Sequence, residues 1–274
     1  MVEVAFASCV LHPTDFSAAS ERAFADALAI AVSNGAYLDI LHTGPSLAED
    51  WERFPAVRKT LERWGKLPPD SPRSAVFEQL GVRVKKIESG HGPASACLRE
   101  MREIEPQLVV LATEGRAGVA RWLRPSVAEA IAHRTRASTL FVPGRGKSIV
   151  SLSDGEIAIK RILVPVADRP PPDFAVAQVG RLMSSLKQEH VDITLLHVNG
   201  PVPPVTIADL PGVKWRRASV NGDVVGEILE AARDSDLIVM ATEGKHGVWD
   251  ALRGSTTSQI VRSAECPVLA VPCY

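Results

Sequence analysis

The chain contains one block of sequence twice, and this repeat constrains the fold more than any other feature. Residues 108–143 align with residues 237–272 without a gap at an offset of 129, and 15 of the 36 aligned positions are identical. The match runs through an apolar run, a glycine-containing loop, a helical pattern and a second apolar run. A match of this length indicates a duplicated structural unit.

Shorter matches precede the long one in the same order. Residues 10–13 correspond to residues 162–165, and residues 38–42 correspond to residues 193–197. The duplication therefore covers a whole domain and not only its last part. A length of 274 residues also fits about two domains.

A polar stretch with several glycines, residues 144–159, separates the two copies. Gly, Ser and Asp at this density are typical of a linker. We therefore predict a first domain at residues 1–150 and a second domain at residues 151–274.

Apolar runs alternate with helical patterns within each copy. Residues 108–111 lack the alternation of a half-exposed strand, which is typical of a strand covered on both faces of a parallel sheet. The predicted strands are 6–12, 37–43, 82–87, 108–112 and 138–142 in the first copy, and 161–166, 191–198, 214–219, 237–241 and 267–271 in the second. The predicted fold class is α/β, with two tandem, doubly wound, open parallel five-stranded sheets of Rossmann-like type.

Helix boundaries are marked by capping residues. Ser17 has the position of an N-cap and Gly35 that of a C-terminal glycine, so they bound one helix. The Pro-rich segment 201–212 stands where the first copy has its second helix, so we expect no helix there. The remaining predicted helices are one within 47–65, then 93–104 and 126–135 in the first copy, and 173–188, 223–233 and 255–263 in the second.

A glycine-containing loop follows the fourth strand of each copy, at Ala112 to Gly115 and at Ala241 to Gly244. In open parallel sheets this end of the strands is where ligands bind. In the second copy a helix then begins at Gly254, Ser255 and Thr256. Backbone N–H groups, two hydroxyls and the positive end of a helix dipole are suited to an anion. The same residues also suit an ordinary helix cap, so the pattern alone is only moderately specific.

The last 36 residues of each copy resemble the universal stress protein family. Nucleotide-binding members of that family carry G-x₂-G-x₉-G-[S/T] between the fourth strand and the last helix. The second copy has Ala241, Gly244, Gly254 and Ser255 at the four positions. The first copy departs further, because it has Ala112, Gly115, Pro125 and Ser126 there.

The resemblance implies a base-binding end as well. It places adenine and ribose at the tip of the first strand, where the family has Pro-x-Asp, and beside the residue that ends the second strand. The first copy fits with Pro13, Thr14, Asp15 and Thr43. In the second copy the matching residues are Pro165, Val166 and Val198, with Met240 nearby, and the carboxylate of Asp168 comes one residue late.

The expected ligand is ATP, or ADP or AMP, with Mg²⁺ able to accompany the nucleotide. We expect the second copy to be the main site, because Pro125 removes a backbone N–H from the phosphate end of the first copy. The family resemblance also implies that strands 138–142 and 267–271 are edge strands. Exposed apolar edges favour pairing, so the two copies should form an intramolecular pseudo-dimer. A homodimer of the whole chain stays open as a further assembly.

Several classes of protein are disfavoured. We find no Gly-x-Ser-x-Gly elbow and no Walker lysine, so no catalytic residue is assigned and any ATP hydrolysis should be slow. Four cysteines at irregular spacing predict no metal site. A net charge of −1 gives no support for nucleic-acid binding, and without an apolar run of about 18 residues we expect no membrane span and a cytoplasmic protein.

Two functions remain open. The first is a nucleotide-dependent sensor or scaffold in a stress response. The second is an interaction module whose degenerate sites bind no nucleotide, since each copy has lost part of the family pattern.

Overall fold

The computed structural model describes residues 6–43, 48–89, 105–113, 137–186, 188, 190–207, 209–243 and 256–273. The predicted helices at 93–104 and 126–135 lie outside the described residues. In the first copy the described strands are β1 (Cys9–Thr14), β2 (Tyr37–Thr43), β3 (Arg83–Ser89), β4 (Leu108–Ala112) and β5 (Ser138–Val142). The helices are α1 (Ala18–Asn34), α2 (Ala48–Arg53), α3 (Val57–Arg63) and α4 (Ala75–Leu80).

The second copy repeats the strand order with fewer helices before its third strand. Its strands are β6 (Arg161–Pro165), β7 (Val191–Val198), β8 (Val213–Val220), β9 (Leu237–Glu243) and β10 (Val268–Cys273). Its described helices are α5 (Asp173–Leu186), α6 (Val224–Ala232) and α7 (Thr256–Ser263). As expected, the described residues of the segment 201–212 form no helix.

The ten strands form one sheet in the order β3-β2-β1-β4-β5-β10-β9-β6-β7-β8. Pairing within each copy is parallel, and the only antiparallel pair among the described strands joins β5 to β10. Leu140 lies opposite Leu269, and Thr139 lies opposite Ala270. The α/β fold class is confirmed, with the two predicted five-stranded sheets continuing into each other at these two edges.

Each face of the sheet carries its own apolar layer. The first layer, with α1 and α5, includes Phe24, Leu38 and Val179. The second layer, with α6 and α7, includes Leu196 and Ile260. Because both faces are covered, β4 and β5 are buried along their whole length. This explains why their sequences are apolar without alternation.

Helix α1 has the predicted ends. The Ser17 hydroxyl accepts a hydrogen bond from the backbone N–H of Ser20, which satisfies one free donor of the first turn. At the other end Gly35 has φ +57° and donates its N–H to carbonyls of the last turn. This left-handed conformation is inexpensive only for glycine.

The polar stretch predicted as a linker is packed against both copies. We call residues 143–160 the connecting segment. Three of its apolar side chains, Ile149, Val150 and Ile159, are buried in the first layer. The backbone N–H of Lys147 donates to the Glu265 carbonyl at 2.7 Å, so the segment contacts the second copy. The polar composition of this segment gave no sign in the sequence of these buried side chains and this contact.

The connecting segment also contacts the first copy. The indole N–H of Trp64 donates to the Leu152 carbonyl at 3.1 Å. Gly155 has φ +69°, and a Cβ there would lie 2.3 Å from the Trp64 ring, so the backbone can pass only as glycine. Lys66 and Glu156 add an ion pair at 2.6 Å.

A fully buried carboxylate lies where α1 meets the connecting segment. Asp26 is 0% exposed, and its Oδ1 accepts a hydrogen bond from the Ser148 hydroxyl. Burial raises the pKa of Asp26 to about 7, although the Ser148 hydrogen bond and the positive charge of Arg22 act in the opposite direction. The folded protein therefore binds a proton here more tightly than the unfolded chain does.

The stability of the protein should depend on pH through Asp26. Between the unfolded pKa of 3.8 and the folded pKa of about 7, the free energy of unfolding contributed by this group falls by about 1.4 kcal/mol for each pH unit. Asp26→Asn, which keeps the shape without the charge, should gain stability relative to wild type as the pH rises, so the difference in its favour should be about 3 kcal/mol larger near pH 8 than near pH 5. Urea unfolding of both proteins at the two pH values measures this. A constant difference between them would contradict the assignment.

The pairing of β5 with β10 also predicts how separated copies behave. Residues 1–150 and 151–274, expressed apart, each expose an apolar strand edge that the intact chain covers. We expect the two halves to bind each other or to aggregate, as measured by size-exclusion chromatography with light scattering. Two halves that remain monomeric when mixed would contradict this expectation.

Candidate functional site

A cavity of about 340 Å³ lies in the second copy, outside the carboxyl ends of β6, β7 and β9. The starts of α6 and α7 close its sides, through Val224 and Ile228 of α6 and Thr256 and Thr257 of α7. This volume is within the range of small-molecule sites, and the position is where open parallel sheets bind ligands.

The end of β6 forms the floor of the cavity. Val166 continues the strand direction by donating its N–H to the Leu196 carbonyl at 2.9 Å, which holds β6 beside β7. Pro165 and Val166 line the cavity, and the chain then leads through Arg169, Pro170 and Pro172 toward α5. The prolines restrict this loop without leaving free N–H groups.

The ends of β7 and β9 form two walls. Leu196, His197 and Val198 line the cavity from β7, and the residues from Met240 to Glu243 line it from β9. The Thr242 hydroxyl donates to the Val271 carbonyl at 3.3 Å, so it is used within the sheet. Most of this surface is therefore apolar and suited to a flat ring.

Helix α7 supplies the part of the cavity that favours negative charge. It begins at Thr256 and runs for eight residues, and its first residues face the cavity. The N–H groups of the first turn of a helix have no partner within the helix, and together with the helix dipole they favour negative charge. The cavity thus combines an apolar region between β6 and β7 with an anion-favouring region at the start of α7.

The structure brings together six of the residues predicted for the second copy. They come from three strands and one helix, and they line the same cavity: Pro165, Val166, Val198, Met240, Ala241 and Thr256. Gly244, Gly254 and Ser255 lie outside the described residues. Asp168 is exposed and does not line the cavity, so its predicted base contact is not supported by the geometry.

The sequence interpretation missed several lining residues. Val224 and Ile228 are four apart at the start of α6, so they share one helix face. The i, i+4 spacing can be read from the sequence, but the sequence does not show that this face of α6 points toward the strand ends. Arg169, His197 and Glu243 were also missed, because only the paths of the loops show that they reach the cavity.

In the first copy, the predicted base-binding residues have partners within the protein. Pro13 and Thr14 end β1, and the buried Thr14 hydroxyl accepts hydrogen bonds from the Phe16 N–H at 3.1 Å and the Ser20 hydroxyl at 2.8 Å. Oδ1 of Asp15 accepts from the Ser17 N–H at 3.0 Å. These groups therefore organise the start of α1. Thr43 ends β2, and Gly115 and Ser126 lie outside the described residues.

The histidine of β1 is a core residue. His12 is fully buried, and its Nδ1 lies 2.9 Å from the Val110 carbonyl, which fixes the tautomer with the proton on Nδ1. Burial lowers the pKa of His12 to about 4, so the ring is neutral at physiological pH. Within the described ranges, no group of three His, Cys, Asp or Glu side chains is placed to hold a metal ion.

No helix in the described part of the chain is long and apolar enough to cross a membrane.

The sheet, the helices on its two faces and the cavity at its strand ends define a doubly wound α/β protein of Rossmann-like class. The model of the Universal stress protein family matches residues 9–143 and 204–272, which is more than half of the chain. The chain belongs to the universal stress protein family.

Individual relatives agree with this assignment. Universal stress protein MJ0531 of Methanocaldococcus jannaschii is 42% identical over 62 residues, which cover 22% of this chain and 36% of that protein. A universal stress protein of Mycolicibacterium smegmatis is 22% identical over a 304-residue alignment covering 99% of both proteins. The crystal structure of a universal stress protein from Archaeoglobus fulgidus matches with a TM-score of 0.61 at 16% identity, over 98% of this chain and 97% of that one, and shows the same fold.

Proposed function

We propose that this protein binds an adenine nucleotide, ATP, ADP or AMP, in the cavity of the second copy and acts as a nucleotide-dependent sensor or scaffold in the cytoplasm. The observation that carries the proposal is the cavity itself, because Val166, Val198 and Thr256, which come from separate parts of the sequence, line one space of suitable volume.

The base would lie between the apolar ends of β6 and β7, against Val166 and Val198. A flat ring removes apolar surface from water there at about 25 cal/mol for each Å². The phosphates would extend toward Thr256 and the first turn of α7, where N–H groups and the helix dipole stabilise anions. Mg²⁺ would reach the site bound to the nucleotide.

The first copy is the weaker candidate. Thr14 and Asp15 already accept hydrogen bonds at the start of α1. Pro125 lacks the N–H that Gly254 offers at the matching position. We therefore propose that the first copy mainly supplies the other half of an intramolecular pseudo-dimer through the β5–β10 pair.

Filling the apolar part of the cavity should weaken nucleotide binding. Val198→Trp places a large ring where the base would lie, and we expect ATP affinity to fall by more than about tenfold, which corresponds to 1.4 kcal/mol. Isothermal titration calorimetry on the full chain measures this. The matched control is Val213→Trp, because Val213 is also half-buried but begins the neighbouring strand β8 and does not line the cavity. Equal loss in both variants, or in neither, would place the nucleotide elsewhere.

One nucleotide should bind tightly to each chain, in the second copy. Gly254→Pro imitates the first copy and removes a donor to a charged phosphate, which is worth about 1.5–3 kcal/mol, so affinity should fall about tenfold to a hundredfold. Ser255→Ala should weaken the same site, and Asp15→Ala should leave it intact. A single site that responds to Asp15→Ala and not to Ser255→Ala would reverse the ranking of the copies. No binding heat with wild-type protein would favour the interaction module.

A further inference from the structure

One asparagine joins two loops that border the cavity. Val198 ends β7 and lines the cavity, and Asn199 follows it. Nδ2 of Asn199 donates to the Gly222 carbonyl at 2.9 Å, and Oδ1 of Asn199 accepts from the Gly222 N–H at 2.9 Å. We call this pair of hydrogen bonds the Asn199 clamp. Because an amide side chain donates and accepts at once, the clamp restricts both the distance between the two loops and their rotation.

The backbone of Asn199 is held in the same direction as its side chain. Its N–H donates to the Val220 carbonyl at 2.8 Å, one residue beyond the last paired residue of β7. Asn199 has φ +66°, which lies in the left-handed region. Among residues with a side chain, asparagine is one of the few that adopt this region readily. The residue type therefore suits both the backbone conformation and the clamp.

The start of α6 lies on the other side of the clamp. Gly222 precedes Asp223, which is the N-cap of α6 and accepts from the Gly226 N–H through Oδ2 at 2.8 Å. Val224 is the first residue of α6, and it lines the cavity. The clamp therefore connects two lining residues, because Val198 stands one residue before one end of it and Val224 stands two residues after the other end.

The first copy lacks a side chain for such a clamp. Extending the match of residues 38–42 with 193–197 by two positions puts Gly44 where the second copy has Asn199. Glycine offers neither the donor nor the acceptor of an amide side chain. The clamp thus belongs to the copy in which we place the nucleotide.

We infer that Asn199 is a positioning residue of the nucleotide site, which holds the start of α6 against the end of β7 and so sets the width of the region that binds the base. This inference depends on the nucleotide site proposed above. A cavity whose sides are fixed before the ligand arrives binds it more tightly, because less binding free energy is lost in ordering them. The phosphates would lie at Thr256 and the first turn of α7, whereas the clamp joins the end of β7 to α6. Loss of the clamp should therefore weaken the contacts of the base and not those of the phosphates.

The test separates the base from the phosphates. Asn199→Gly removes the clamp and keeps a residue that adopts positive φ without strain. We expect its ATP affinity to fall about fivefold, because a smaller fraction of the molecules has the cavity at its binding width. The affinity for tripolyphosphate, which has no base or ribose, should stay within about twofold of wild type. Isothermal titration calorimetry on the full chain measures ATP binding, and competition with ATP measures tripolyphosphate binding.

Asn221→Gly is the matched control, because Asn221 is an exposed asparagine next to Gly222 that takes no part in the clamp. It should leave both affinities unchanged. An Asn199→Gly variant that loses ATP and tripolyphosphate affinity equally, or that binds ATP like wild type, would overturn the positioning role while leaving the nucleotide site in place. Wild-type protein that binds no ATP would overturn the proposed function itself.

Discussion

The backbone pairing of β5 with β10 is the interaction on which the rest of this structure depends. Each copy ends its sheet with a short apolar strand, and such an edge binds other strands unless it is covered. Here each edge covers the other, and ten strands form one sheet. Because this pair is antiparallel while the others are parallel, the second copy is turned relative to the first and its strands run in the opposite direction.

The two outer edges of the ten-stranded sheet are protected by charged side chains and not by strand pairing. β3 carries Arg83, Lys85 and Lys86, and β8 carries Lys214 and Arg216. Positive side chains on an edge strand oppose pairing with a like strand, because the charges would lie side by side. The covered apolar edges and the charged outer edges together limit the sheet to ten strands.

Much of the fold follows from local sequence signals. Ser17 and Gly35 ended α1 as expected, because a cap depends on the residue and its immediate neighbours. The strands at 108–112, 138–142 and 191–198 have the predicted bounds. Helix α4 was not predicted, because six residues between a Pro-rich loop and Gly81 carry too little periodicity to show a helix.

The candidate site likewise contains residues that the sequence could predict and residues that it could not. Residues at strand ends could be predicted, because all parallel strands of one copy end at the same edge of the sheet. Arg169 could not be, since its contact with the cavity depends on the path of a loop. Asp168, whose carboxylate comes one residue late in the family pattern, is exposed and does not line the cavity.

The packed connecting segment has a consequence for how the protein tolerates insertions. Segments between domains are usually where a chain accepts extra residues, since an exposed linker has few contacts to lose. Here the residues from Lys147 to Ile159 include three buried side chains, and Gly155 has no space for a side chain against Trp64. A fusion partner or a peptide tag inserted at this boundary would therefore disrupt packing as it would in a helix of the core.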